Sequence, residues 1–475
     1  MPVETEESRA PEPKSKTPGV KGPAPPRIRA RVLEESILFV SIVKWIFFAA
    51  CVGAIVGLST TVFLKALEKS ITVASSFRYY FLLLPAAFFA SSLVINLFAP
   101  EAKGHGTEKV IEAVHKNWGR IDPWTVPVKL VATIITIALG GSAGKEGPCA
   151  QIGAGLCSMF AGWLKFDDVD RRKLVVCGIS AGFAAVFGTP IAGAMFGVEV
   201  LFIGSLLYDV LLPSFVAGIV GYEVSSHLGI TYFHDTLRFV PEFSGLFFVK
   251  VCISGLFFGL CSFIFVEMLR YFERLHGKVR LWEPATAALG GACLVGLAFA
   301  FSPRYLGLGL DTIQHALEGV HIPVHAAVVK MLLTSVTLTF GGSGGIVTPI
   351  FFIGATAGNA FAWVLGFNLP IFSAIGMVSL LAGAANTPIS ASIMAVELFG
   401  PAAAPYAAIA CVISFLMTGH RSVYPSQVLA ASKSRSLIVS KGKEIYVCDV
   451  NFKPHAKSVT GGIIRQLQKL RRKHR

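Results

Sequence analysis

Glu146 stands inside a glycine run, GGSAGKEGPCAQIGAG, and a second run, GGSGGIVTPIFFIGATAG, follows much further along the chain. In the first, Gly144, Gly147 and Pro148 lead into the apolar stretch 149–164; in the second, Gly344, Gly345 and Pro349 do the same. Both read as helix starts, where proline tolerates the missing donor. A helix N-terminus carries about half a positive charge and several free N–H groups. Such an end holds an anion with backbone alone, and glycine lets the backbone come close to the ion. Within a membrane this serves transport better than a full cation, which is expensive in lipid and grips the ion too tightly.

A carboxylate tethered beside an anion site is itself a competing anion. Ionised, Glu146 fills the site; protonated, it leaves. That makes it a gate and a proton carrier at once, while its plainer alternative is a carboxylate that only caps the helix. Lys145 either turns away and lends its N–H or faces the ion. The dipeptide Gly144-Lys145 also brings a phosphate-binding loop to mind. That loop, G-x-x-x-x-G-K-[ST], needs glycine at Leu139 and a hydroxyl at Glu146, which argues against nucleotide binding. A third cluster, Gly104-His105-Gly106-Thr107, opens the amphipathic stretch 108–116. There His105 is either a donor to an anion at a further helix start or a loop histidine. Tyr424 follows the last apolar run; its hydroxyl reads as a donor at a mouth or as part of an interfacial aromatic belt.

The elements that must position these residues are membrane helices. Of 475 residues, 53% are hydrophobic and 15% charged, against about 25% charged in soluble chains, which excludes a water-soluble globule. Nine apolar stretches follow one another between 37 and 417, and backbone in hydrocarbon must be helical. Glycine-broken spans of this kind mark transporter binding sites. The basic balance is a tail property: 12 basic against 2 acidic residues in 432–475. It reads as a cytoplasmic flank rather than a nucleic-acid footprint. Nine cysteines without a CxxC pair read as small buried hydrophobes, not a disulfide framework or a metal site.

The chain also repeats itself. Thr189-Pro190-Ile191 with Val198-Glu199 recurs as Thr387-Pro388-Ile389 with Val396-Glu397, and the G-x-x-x-P of Gly144 to Pro148 recurs at Gly345 to Pro349. The expected organisation is a disordered arm (1–36), a first membrane repeat (37–224), a linker (225–244), a second repeat (245–431) and a basic tail (432–475) in which 437–450 could pair as strands. A site between duplicated halves is expected near the bilayer midplane.

Together these residues resemble the chloride channel (CLC) family of anion channels and anion/proton antiporters. GKEGP at 144–148 is similar to that family's G-[KR]-E-G-P, GIVTP at 345–349 to its G-x-F-x-P, and GHGT at 104–107 to its G-S-G-x-P. The resemblance implies an all-α integral membrane protein built as an inverted repeat of tilted, partial-length helices. It further implies a homodimer with one pore per subunit, no cofactor, no metal and no catalytic residue. By the same resemblance Glu146 is the external gating glutamate. Lys145, Glu146 and Gly147 are donors at an outer anion site, Ile346 and Val347 donors at the central one, and Tyr424 the inner-gate tyrosine. His105 stands where the family often has Ser or Pro, a position that influences chloride against nitrate. Glu108 and Val347 replace a usual Pro and Phe. Val200 stands where proton-coupled members often carry an inward-facing glutamate. No fixed proton stoichiometry follows, and Glu199 is the remaining acid for an internal proton path.

The expectation is transport of chloride or a similar small anion, coupled to protons through Glu146, in a cell membrane with both termini cytoplasmic. A passive gated channel is the alternative, and fluoride export a narrower one. From a different class, a membrane scaffold or sensor using the basic tail would show no flux with or without residues 432–475.

Overall fold

The computed structural model describes residues 28–232, 244–434, 436–447 and 450–452. Contacts divide the chain into two units, Met1–Lys44 and Trp45–Arg475. Of the first, the described residues belong to one long helix, α1 (Ile28–Ser75), whose start falls inside the stretch expected as an arm. Residues 1–27, 233–243 and 453–475, and with them most of the expected arm, linker and tail, lie outside the described residues.

Sixteen α-helices form among the described residues, and the second eight repeat the first eight in order. After α1 come α2 (Leu84–Phe98), α3 (Gly106–Lys116), α4 (Thr125–Ala138), α5 (Glu146–Trp163), α6 (Asp168–Phe187), α7 (Pro190–Glu199) and α8 (Tyr208–His227). Their counterparts are α9 (Gly245–His276), α10 (Glu283–Ala300), α11 (Leu310–Leu317), α12 (Ala326–Thr339), α13 (Val347–Leu365), α14 (Leu369–Ala385), α15 (Pro388–Phe399) and α16 (Ala404–Thr418). Local signals repeat with them. The Asp167 carboxylate accepts from Asp170 N–H at the start of α6, and the Asn368 side chain accepts from Ile371 N–H at the start of α14. Pro190 and Pro388 open α7 and α15, and left-handed Gly188 and Asn386 close α6 and α14.

Six helices are long and apolar enough to span a bilayer, while α4, α12, α14 and α15 are apolar but shorter. The protein is an integral, multi-pass membrane protein. On α9 the exposed side chains Leu246, Val249, Ile253, Leu256, Leu260 and Ile264 recur at helical spacing, an apolar face suited to lipid. In contrast α13, equally apolar, is wrapped in protein along nearly all its length. Helices α5 and α6 pack together, as do α13 and α14, and α7 packs on α15 across the two halves. Two minor sheets complete the fold. Phe202–Ile203 pairs in parallel with Val428–Leu429, and Leu437–Val439 pairs antiparallel with Val450–Phe452, close to where a strand pair is expected. All eight described cysteines are free thiols, four of them buried.

The contact between α7 and α15 is a reciprocal exchange of caps. Glu199, at the end of α7, accepts from Ile389 N–H (3.0 Å) and Ser390 N–H (2.7 Å) at the start of α15. Glu397 on α15 accepts from Ile191 N–H (2.9 Å) and Ala192 N–H (2.8 Å) at the start of α7. Each half thus satisfies the orphan donors of the other with a charged acceptor. Removing either carboxylate strands two N–H groups at about 1–3 kcal/mol apiece. Glu199→Ala and Glu397→Ala are each expected to lower the thermal midpoint in detergent micelles by a comparable, clearly resolved amount. A variant that melts like the parent would show that its cap does not hold the halves together.

Candidate anion site

The two glycine runs meet. Gly144 N–H donates to the Gly345 carbonyl (2.7 Å) and Gly345 N–H to the Gly144 carbonyl (2.6 Å), an antiparallel bridge between repeat-equivalent residues. Equivalent residues that pair with one another while running in opposite directions lie on a local two-fold axis, the signature of an inverted repeat. The surrounding hydroxyls obey the same axis. Ser142 donates its N–H to Thr337 Oγ1 (3.0 Å) and bonds Thr334 Oγ1 through its own hydroxyl (3.0 Å). Its counterpart Ser343 donates its N–H to Thr136 Oγ1 (3.0 Å) and bonds Thr133 Oγ1 (3.1 Å). Each glycine run is therefore clamped by the helix that precedes the other run, α12 or α4.

This clamp sets the N-termini of α5 and α13 face to face. Glu146, the first residue of α5, is fully buried and reaches across the axis. Its Oε1 accepts from the amides of Val347 and of Thr348 (3.0 Å), and its Oε2 accepts from the Thr348 hydroxyl (2.7 Å). The close approach depends on glycine: a β-carbon on Gly345 would lie 2.6 Å from Gly147 N, and one on Gly147 would lie 2.9 Å from Gly345 Cα. Ile346 is the residue before α13, and its carbonyl accepts from Ile350 N–H (3.0 Å); the amides that reach Glu146 are those of the next two residues. The Glu146 carboxylate, itself an anion, is thus held by helix-start amides and a hydroxyl.

Around this point the other sequence-derived residues fall on two sides. Lys145 lines a cavity of about 780 Å³ together with Glu68, Tyr80, Arg304 and Asp311. His105 lines another of about 660 Å³ with Arg270, Glu273, Arg274, His420 and Arg421. The two cavities share no lining residue. Three arginines around the His105 cavity raise the local concentration of anions. His105 precedes α3 and bridges in parallel to Gly344; Gly106 begins α3 and is packed against Gly147 and Gln151 of α5. Tyr424 is fully buried rather than set in an interfacial belt, its ring 5.7 Å from that of His105. The Tyr424 hydroxyl and His105 Nδ1 are both buried and meet no hydrogen-bond partner among the described residues, so each is free to contact an ion or water. Glu199 stands apart from these groups, as the cap on α15.

Several participants escaped the sequence reading. Thr348 contributes both an amide and a hydroxyl to the seat; a hydroxyl in GIVTP was the available signal. Lys129 and Lys330 are fully buried, and each pins the loop ahead of a helix start. Lys129 Nζ donates to the Ala102 (3.0 Å) and Gly104 (2.5 Å) carbonyls, and Lys330 Nζ to those of Tyr305 (3.0 Å) and Gly307 (2.7 Å). Two lysines at matching places in duplicated apolar runs were countable from the residues alone.

A buried two-fold junction of helix starts, seated by a carboxylate and flanked by two cavities lined with charged side chains, suits a membrane anion transporter or channel. The family model described as voltage gated chloride channel matches residues 86–419, and the chain belongs to that family. It is 34% identical over 407 residues to the chloride/fluoride channel protein of Pseudomonas syringae pv. tomato, covering 84% of this chain and 90% of that one. It is 29% identical over 343 residues to the voltage-gated ClC-type chloride channel ClcB of Escherichia coli O81, covering 68% and 80%. Among solved structures, a CLC-type fluoride/proton antiporter superposes with a TM-score of 0.79 at 27% identity over 82% of this chain and 99% of that one. A slow cyanobacterial Cl⁻/H⁺ antiporter shares the fold, with a TM-score of 0.69 at 19% identity over 79% and 94%. The protein thus serves anion transport as a member of this family.

Thr348→Val keeps the amide and the side-chain volume but removes the hydroxyl from the Glu146 seat. One charge-assisted hydrogen bond is worth about 1.5–3 kcal/mol, so the carboxylate's hold weakens roughly tenfold or more. Halide efflux from liposomes at neutral pH is expected to rise. Equal efflux in the variant and the parent would mean that the hydroxyl does not restrain the gate.

Proposed function

We propose that the protein exchanges a small halide for protons, with Glu146 as the side chain that trades places with the ion. The observation that carries this reading is the seating of the Glu146 carboxylate on Val347, Thr348 and the Thr348 hydroxyl. Ionised, the carboxylate satisfies these donors as a halide does. A proton arriving from either cavity cancels its charge, the charge-assisted bonds lose roughly half their strength, and the neutral side chain yields the donors to the incoming ion. Departure of the halide invites the carboxylate back, and it returns after releasing its proton. One site cannot hold both anions, so the two movements are linked.

Chloride is the leading substrate, on the likeness of GKEGP and GIVTP to the chloride signatures. Fluoride is a second reading, favoured by the Thr348 hydroxyl, since a small, strongly accepting ion gains most from an O–H donor, and supported by the likeness to a fluoride/proton antiporter. The assembly in this reading is a homodimer carrying one pathway per subunit. The basic tail accords with a cytoplasmic C-terminus; on that orientation the His105 cavity faces inward and the Lys145 cavity outward.

In liposomes, a chloride gradient is expected to drive uphill proton movement. Chloride flux without proton movement would demote the protein to a channel, and fluoride flux tenfold above chloride flux would establish the second reading. Glu146→Gln is expected to abolish proton movement while halide flux continues; a variant still coupled to protons would remove Glu146 from its role.

A further inference from the structure

A proton bound for Glu146 from the His105 cavity must cross a stretch of buried protein. Val200, which follows Glu199 at the end of α7, is buried and apolar and offers no acid there. A carboxylate stands close to that cavity. Glu108 sits in the first turn of α3, three residues after His105. Its Oε1 accepts from the Ser426 N–H (3.0 Å) and the Ser426 hydroxyl (2.6 Å), which tie it to the loop that carries Tyr424. Its Oε2 is buried and meets no partner among the described residues. His105 and Pro425, its neighbours on helix and loop, both line the cavity. Tyr424, two residues before Ser426 on that loop, is fully buried with its ring 5.7 Å from that of His105.

The repeat gives a second, independent observation. Counted from the carbonyls that the two buried lysines hold, Ala102 with Tyr305 and Gly104 with Gly307, the equivalent of Glu108 is Asp311. Asp311 is exposed and lines the opposite cavity. Each half thus supplies a carboxylate at the matching helix start, one toward each mouth.

Resting on the proton-coupled reading above, we infer that Glu108 is the proton-transfer carboxylate between the His105 cavity and Glu146. A proton from cavity water binds Oε2, forming one O–H bond. It passes through water and the Tyr424 hydroxyl, which accepts one proton as it gives up another, to the Glu146 carboxylate. Glu108 is left ionised for the next proton. The charged groups acting on Glu108 are Lys109 and Glu112 of its own helix; from the facing loop, Tyr424 and Ser426 present hydroxyls, and His105 stands beside it.

The test measures proton and halide flux together in liposomes carrying the full chain. Glu108→Gln retains the carbonyl that accepts from Ser426 and loses only the exchangeable acid. Its proton flux per halide is expected to fall at least tenfold. Glu108→Asp, an acid on a shorter stem, is expected to keep coupling at a several-fold lower proton rate. A proton-to-halide ratio in Glu108→Gln equal to that of the parent overturns the inference. Should Glu108→Gln fail to assemble, Glu108→Asp decides alone: proton flux equal to the parent's also overturns it. A parent protein that moves no protons would instead defeat the coupled-exchange reading, a different outcome from a coupled parent matched by Glu108→Gln.

Discussion

The buried charges of Glu146, Glu199, Lys129 and Lys330 are met by peptide groups rather than by buried ions of opposite sign, the carboxylates by amides of the opposite repeat and the lysines by carbonyls of their own. Glu146, Glu199 and Glu397 each sit on consecutive amides at a helix start across the two-fold axis. Lys129 and Lys330 are each held by two carbonyls ahead of another helix start. A lone ion in an apolar interior carries a desolvation penalty of several kcal/mol, and fixed dipoles offset it without forming an ion pair. The distinction matters for transport. A buried salt bridge broken by removing one partner leaves a stranded charge, whereas a dipole cradle accepts any anion of the right size in place of its carboxylate.

On the proposed exchange Glu146 is a gate while Glu199 and Glu397 are fasteners, although all three accept helix-start amides. The difference lies in their neighbours. Lys145, the residue beside Glu146, opens on one cavity, while His105 and Tyr424, with unsatisfied polar atoms, stand between the site and the other. Glu199 lies in the contact of α7 with α15, and both its oxygens are occupied by amides. Displacing Glu199 would uncap α15. Displacing Glu146, on the proposed exchange, frees its donors for an ion.

Much of this arrangement was legible in the residues because duplication leaves a countable trace. Similar offsets between GKEGP and GIVTP, and between the two TPI elements, mark equivalent positions, and glycine before proline marks helix starts. Spacing along the chain is silent, however, about which equivalents touch. Whether Gly144 pairs with Gly345, or Glu199 caps its own half or the other, depends on the axis, a property of three-dimensional packing. The same gap hid Thr348, whose hydroxyl matters only because Glu146 crosses to it. Tyr424 was ambiguous for a related reason: a tyrosine at the end of an apolar run is interfacial or buried according to what folds over it. Here the loop tied to Glu108 through Ser426 keeps it inside.

Function arises where the duplicated halves differ. Glu146 and Val347 are repeat equivalents, and the acid of the first half rests on the amide of its own counterpart. Had both positions kept an acid, two carboxylates would compete for one cradle, and their repulsion would force one to stay protonated. Had both kept an apolar residue, the donors would lack an internal anion and their seat would stand open to any halide. One acid against one apolar partner leaves a single titratable occupant for donors that all come from the second half. The two-fold framework brings the helix starts together, and the departures from it at Glu146 and Val347 and at Gly147 and Thr348 set an acid on one side and its donors on the other.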